Sequence, residues 1–190
     1  VTLTYNQDIK RIPIKSFNRS SKDVEVVDTR EMDYIEFLVE SATDHKLLFF
    51  TNQGNCYGLD AIHVPEGKWR DKGVQLATLL NGFDRSEKVV GLISVKDFEE
   101  SQYVQFYTKD GMIKRTPLSE YNARKSKIQA CGLKDSDEVI NVELTDGTKN
   151  VLIITQNGMS IRFRGEEVSS MGRIARGVKA IQLKQGDLVV

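Results

Sequence analysis

Proline is scarce, three residues in 190, and neither a Pro-rich linker nor a low-complexity tract can be drawn from so little. Cysteine is rarer still. Cys56 and Cys131 stand 75 positions apart, each inside an apolar run, which is no metal-ligand spacing and fits two buried thiols in a reducing compartment. The two histidines, His45 and His63, have no cysteine or carboxylate arrangement of metal-site spacing around them. Net charge is absent too: 27 basic side chains balance 27 acidic ones, which excludes a histone-like polycation, so any surface for a polyanion must come from segregation of charge. No apolar run approaches the roughly 18 residues that span a bilayer, and no signal peptide is visible. The chain opens on Val1 in a strand-like run and stops at Leu188-Val189-Val190 in another, as a piece of a longer chain would.

What is present is repetition. The stretches VTLTYNQDIKRIP, KLLFFTNQGNCYGLD, YVQFYTKDGMIKRTP and NVLIITQNGMSIRFR share one layout: a β-rich run ending in threonine, a polar turn, and a second strand with polar or basic residues. The threonines are Thr4, Thr51, Thr108 and Thr155, at intervals of 47, 57 and 47. Three residues on come Gly54, Gly111 and Gly158, as a tight hairpin with positive φ requires. The first copy has Gln7 there, which predicts a turn of another type.

About 20 residues after each threonine the pattern recurs again. A polar or basic loop leads into an alternating apolar strand in KWRDKGVQLATLL (68–80), RKSKIQACGL (124–133) and RIARGVKAIQL (173–183). Val74, Ile128 and Val178 align, as do Leu79, Leu133 and Leu183; the first unit offers only VEVVD (24–28). Acidic residues then lead into the next apolar run. Four short strands per unit of about 50 residues is the signature of a propeller-like array, and period-2 alternation excludes a helical solenoid. The sequence predicts an all-β protein, one domain over 1–190, of about four units near 1–32, 33–86, 87–136 and 137–190.

The segments DIKRIPIKSF, GNCYGLDAIHVPEGKWRDKG, GMIKRTPLSEYNARK and SSMGRIARGVKAIQLKQGDLVV together resemble the C-terminal domain of the A subunit of bacterial type II topoisomerases. The resemblance covers essentially the whole chain. It implies a β-pinwheel, a propeller-like disc of four-stranded antiparallel blades in which neighbours exchange a strand. It also implies a basic rim that binds and bends duplex DNA with little sequence specificity. The gyrase branch of that family carries a glycine-rich basic box of the form QRRGGKG in its first blade. Here the corresponding place reads IKSFNRSSKDVEV, with no glycine and, from Phe17 to Val24, only Arg19 and Lys22 as bases. The chain is therefore more similar to the topoisomerase IV branch, and implies relaxation and decatenation ahead of supercoiling. The family further implies a bacterial cytoplasmic setting and no cofactor in this domain, with magnesium and ATP used elsewhere in the enzyme. Its implied partners, besides double-stranded DNA, are the rest of the A subunit, plus the ATPase B subunit of an A2B2 enzyme.

Duplex DNA needs cations along one path to meet phosphates. Candidates recur at equivalent places. The second strand of the hairpin, which is the third strand of a unit that runs strand, hairpin, loop, strand, carries Lys10 and Arg11, Lys114 and Arg115, then Arg162 and Arg164. The loops carry Lys68, Arg70 and Lys72, then Arg124, Lys125 and Lys127, then Arg173, Arg176 and Lys179. Lys15 and Arg19 complete the set. From Lys10 to Lys22 there are five bases and no acid, and from Asp23 to Glu36 six acids against Arg30. A solvated face with no ligand is the alternative for any one of these bases, and packing is the alternative for Trp69 as a DNA-stacking residue. Nothing catalytic is visible. There is no phosphate-cradling glycine loop, no Ser–His pair, no HExxH, and the six tyrosines lie in or beside β-runs, so the chain by itself is expected to be catalytically silent. The competing class is a protein-interaction propeller, which neutral charge and the acidic stretch 23–36 suit.

Overall fold

The computed structural model describes residues 1–20, 33–99 and 101–190, and is almost wholly β. Its strands are β1 (Thr2–Thr4), β2 (Asp8–Lys10), β3 (Ile35–Leu38), β4 (Lys46–Thr51), β5 (Asn55–Asp60), β6 (Val74–Gln75), β7 (Val89–Val95) and β8 (Tyr103–Thr108). There follow β9 (Met112–Pro117), β10 (Lys127–Gln129), β11 (Val139–Thr145), β12 (Asn150–Ile154), β13 (Ser160–Arg164) and β14 (Val178–Lys179). One seven-residue helix, α1 (Ile14–Ser20), follows Pro13. The run 24–28, Lys22 and most of the acidic stretch lie outside the described residues.

Each repeat begins as a hairpin held by its threonine. The threonine carbonyl accepts the N–H of the residue three on (Gln7, Gly54, Gly111 or Gly158) at 2.9–3.1 Å. Its hydroxyl oxygen accepts the N–H of the residue four on (Asp8, Asn55, Met112 or Met159) at 3.1–3.3 Å. The three glycines have φ of 76°, 85° and 80°, and Gln7 has φ of 64°. The first turn is therefore the same as the others and not of a different type. A left-handed backbone costs a non-glycine residue on the order of 1–2 kcal/mol, and here the Gln7 amide side chain is tied to the Glu87 carbonyl at 3.2 Å.

The acids ahead of each next run also have a structural task. Asp33, Asp137 and Asp187 each accept two backbone N–H groups, one from the hairpin tip (Asn6, Asp110, Asn157) and one from the following residue, at 2.8–3.1 Å. Tip amides that would otherwise be unpaired are thereby satisfied.

The sheets are completed by exchange. Their strand orders are β3-β1-β2-β6, β10-β5-β4-β7 and β11-β8-β9-β14, with β12-β13 as a fourth pair. The last strand on one edge always comes from the next repeat: Val74 pairs with Ile9, Ile128 with Cys56 and Val178 with Ile113. These are the three aligned apolar positions of the sequence. The other edge repeats as well, with Thr4 opposite Ile35, Thr51 opposite Val89, Thr108 opposite Val139 and Thr155 bridging to Val189.

Neighbouring sheets enclose the cores. In β4 the alternate residues Leu47 and Phe49 pack toward the first sheet with Leu3 and Ile9, and Leu48 and Phe50 toward the third with Val104 and Phe106. Burial of each such side chain contributes about 1.5–3 kcal/mol. Phe50 meets Phe106 and Tyr121 edge-on at centroid distances of 5.5 and 5.4 Å. Ile113, Val151, Ile153 and Val189 form the core between the third and fourth sheets, while Leu152 and Ile154 on the other face of β12 are exposed.

Candidate nucleic-acid interface

Strand exchange fixes where the basic loops sit. Each runs into a donated strand, so the loops 68–73, 122–126 and 171–177 occupy the same place relative to successive sheets. Two of them start on the third strand of the preceding repeat: Gly67 donates its N–H to the Arg11 carbonyl and Met171 donates to the Arg115 carbonyl, both at 2.9 Å. They end at Gly73 and Gly177, where a Cβ would lie 2.5 Å from the Ile9 carbonyl oxygen and 2.3 Å from that of Ile113. Only glycine permits so close an approach of loop to strand.

The bases expected at the interface divide by position. Lys68, Arg70, Lys72, Arg124, Lys125, Lys127, Arg176 and Lys179 are exposed and Arg173 is half-exposed, all on or beside these loops. Lys15 and Arg19 are exposed on α1, and Arg162 and Arg164 on β13. Several are tethered. Lys72 lies 3.9 Å from the Asp8 carboxylate, Lys179 donates to Gln182 at 3.0 Å, and Lys127 sits over the Tyr57 ring at 5.2 Å. A hydrogen bond with Tyr57 raises the Lys127 pKa above its ordinary value, so the charge is retained.

Four third-strand bases are buried or half-buried. Lys10 and Lys114 are 8% and 1% exposed, with their amines bonded to main-chain carbonyls. Arg11 is half-buried, donating from Nε to the Val64 carbonyl at 2.8 Å and pairing with Glu66 at 3.1 Å. Arg115 is half-buried over the Tyr103 ring, 4.6 Å from its centroid. Their sequence pattern is that of an outward strand edge, but a base-bearing loop crosses over Lys10 and Lys114, while Arg11 is held by Val64 and Glu66 and Arg115 by Tyr103. Trp69 packs edge-on against Phe17 of α1 at 5.5 Å, the packing role rather than a stacking one.

The third and fourth repeats bring their loops together. Arg124, Lys125, Lys127, Gln129, Arg173 and Ile174 line an open cleft of about 480 Å³. Arg173 reaches across it to donate from Nη1 to the Gln129 carbonyl, and its N–H bonds Glu120 at 2.6 Å. Ile174, 66% exposed between cations, carried no signal in the sequence because an isolated apolar loop residue is commonplace. Among the described residues no group of His, Cys, Asp and Glu is placed to hold a metal ion, and no helix is long and apolar enough to cross a membrane.

Residues 45–96, 106–146 and 149–190 match the DNA gyrase C-terminal domain, β-propeller family. The chain belongs to that family. Its relatives include the DNA gyrase A subunit of Halalkalibacterium halodurans, 38% identical over 185 residues, and that of Clostridium acetobutylicum, 38% identical over 183. The Staphylococcus epidermidis protein of the same name is 37% identical over 196 residues. These matches cover 94–100% of this chain but only 22% of each relative. Among solved structures, a C-terminal domain of DNA topoisomerase IV matches all of this chain and 58% of its own at TM-score 0.86 and 34% identity. The DNA gyrase A C-terminal domain, at TM-score 0.69 and 22% identity, and the E. coli ParC C-terminal domain, at 0.74 and 16%, share the fold. This gyrase-family domain is thus the β-pinwheel that its repeats resemble, with each of the first three blades closed by a strand of the next.

Proposed function

We propose that this domain binds duplex DNA on the exposed basic loops and bends it, as part of the A subunit of a bacterial type II topoisomerase. The observation that carries this reading is positional. Three loops in equivalent places of successive repeats present Lys68, Arg70 and Lys72, Arg124, Lys125 and Lys127, and Arg173 with Arg176, with side chains outside the packed cores. Regularly spaced cations without a base-reading element suit a phosphate backbone of any sequence. The domain acts by geometry. Cleavage, the chemistry of magnesium and ATP, and the ATPase B subunit of an A2B2 assembly belong to the remainder of the enzyme in the bacterial cytoplasm.

Relaxation and decatenation, the work of a topoisomerase IV, is the reading we favour over supercoiling. The place of the glycine-rich basic box begins as α1, whose Phe17 is packed on Trp69, so a flexible backbone able to approach phosphate is missing there up to Ser20. The likeness to the topoisomerase IV domain supports the same side. A gyrase domain that wraps DNA is the second reading, and the relatives named as gyrase A subunits favour it.

Two measurements test these statements. In gel shifts across a salt series, log affinity is expected to fall linearly with log salt, by about 0.9 per phosphate neutralised, equally for unrelated sequences; salt-independent retention would leave a protein-interaction propeller as the alternative. Ligation of nicked circles with excess protein is expected to give a small linking-number change, and a large change of one hand would place the domain with wrapping gyrases.

A further inference from the structure

Lys10 and Lys114 stand at one position of the repeat, six residues after the hairpin threonine. Lysine is almost never fully buried without partners, and an ammonium taken from water must recover its hydration in hydrogen bonds. Both recover it from the same kind of acceptor. Lys10 Nζ donates to the Trp69 carbonyl at 2.5 Å and to the Asp71 carbonyl. Lys114 Nζ donates to the Ala130 carbonyl at 2.6 Å and to the Arg173 carbonyl. In each pair one acceptor lies 59 residues further along the chain, inside the loop that carries exposed bases.

Packing alone does not need an amine there. The second repeat has Tyr57 at this position and the fourth has Ile161. In the second, the loop itself supplies the cation, Lys127 lying over the Tyr57 ring. In the fourth, among the described residues, no strand is donated to β13. The lysine thus occurs in the two sheets that receive a loop through a crowded glycine, Gly73 or Gly177. Glycine allows the approach, and the amine holds it.

We propose that Lys10 and Lys114 are positioning residues of the DNA interface: each ties the main chain of a base-bearing loop to its sheet, fixing Lys68 and Arg70 in one loop and Arg173 and Arg176 in the other at a set height for phosphate. The proposal rests on the DNA-binding reading above. A loop ordered before DNA arrives loses less conformational freedom on binding, so more of each phosphate contact is realised as affinity. Lys114 has a wider reach than Lys10, because Ala130 follows the strand donated to the second sheet. Its one amine joins the chain leaving one basic loop to the backbone of the next, across the cleft that Arg173 lines.

The test compares the 190-residue chain with Lys114→Met and Lys10→Met on a mixed-sequence duplex over a salt series. For Lys114→Met we expect a wild-type β circular-dichroism spectrum, affinity about tenfold lower near 0.1 M salt, and a salt slope reduced by about 2, the share of two phosphate contacts. Reversing Arg173 and Arg176 to glutamate should then cost less than about threefold in the Lys114→Met background, against at least about tenfold in the wild type. Amides of Arg173 and Ala175 should exchange faster with solvent, with or without DNA. Lys10→Met should lower affinity and slope while leaving the response to the Arg173/Arg176 reversal intact, and it carries the test alone if Lys114→Met does not fold. A variant that loses only thermal stability, with slope and reversal cost unchanged, overturns the proposal and leaves DNA binding standing. Failure of the wild-type chain to bind duplex at all overturns both.

Discussion

The carbonyl oxygen of Gly54 accepts the N–H of Ala130 at 2.7 Å, so the tip of one hairpin is closed by the chain of the following repeat. The same bond joins Gly111 to Ala180 at 2.8 Å and Gln7 to Leu76 at 2.9 Å. At Gly158, where no donated strand is described, a Cβ would meet nothing within 4 Å.

Gly54 and Gly158 should therefore respond differently to alanine. Both have positive φ and incur the strain of that conformation, about 1 kcal/mol. A Cβ on Gly54 would also lie 2.4 Å from the Cys131 carbonyl oxygen and must displace the donated segment. Urea denaturation is expected to give a loss of ~3 kcal/mol or more for Gly54→Ala, and only about 1 kcal/mol for Gly158→Ala. Equal losses would mean that strand closure does not crowd the turn.

Each hairpin threonine offers a second check. Thr108→Val keeps shape and β-propensity but removes the oxygen that accepts the Met112 N–H at 3.1 Å. The expected cost is about 1 kcal/mol, largely restored by Thr108→Ser. A valine variant as stable as the wild type would show that the hydroxyl is dispensable.

Burial lowers the Lys114 pKa from its ordinary value to about 8, with Cys131 and Glu120 opposing the shift and Arg173 adding to it. Between pH 8 and about 10.5 the unfolded chain then holds a proton that the folded chain has released, so this group makes the fold more stable as pH rises, by at most ~3 kcal/mol. Burial raises Cys131 to about 11 and raises Cys56 and Tyr121 as well, which act in the opposite sense as pH climbs past the unfolded thiol range. The difference between wild type and Lys114→Met isolates the lysine. Plotted against pH, that stability difference should move in favour of the wild type above pH 8 and be level below it. A flat profile would mean the amine titrates normally.

Much of this architecture was legible because it is written four times. The threonines mark a contact that all four repeats make, and the turn glycines and the aligned Val74, Ile128 and Val178 mark contacts that three of them make, so period and spacing exposed them. Gln7 escaped because composition reports how often a residue takes positive φ, whereas a single glutamine with a tether at Glu87 can bear that cost. Lys10 and Lys114 escaped for a different reason. A base beside a base on a strand reads as solvent-facing, and only the loop of the next repeat, laid across the strand, buries it. The residues that answer the loops 59 positions on could be found only once strand exchange had placed them side by side.

The outer face of β12 gives a prediction about solution behaviour. Leu152 and Ile154 are 60% and 46% exposed on one side of the strand while Val151 and Ile153 fill the core on the other. Neighbouring exposed apolar side chains promote association. Leu152→Glu with Ile154→Lys should leave the melting midpoint within the small range expected of surface changes, about 0.5 kcal/mol, and should lower self-association in sedimentation velocity. A large loss of stability would show that this face is covered.

Closing each sheet with a strand from the repeat after it has a consequence in time. On the ribosome the first hairpin can form once residue 10 has emerged, but its sheet stays unclosed until Val74 and Gln75 arrive, and the third waits from Pro117 to Val178. Each of the first three blades therefore matures one repeat late. Its exposed edge is available to a wrong partner during the interval, so arrest or cleavage inside one repeat harms the fold of the one already made.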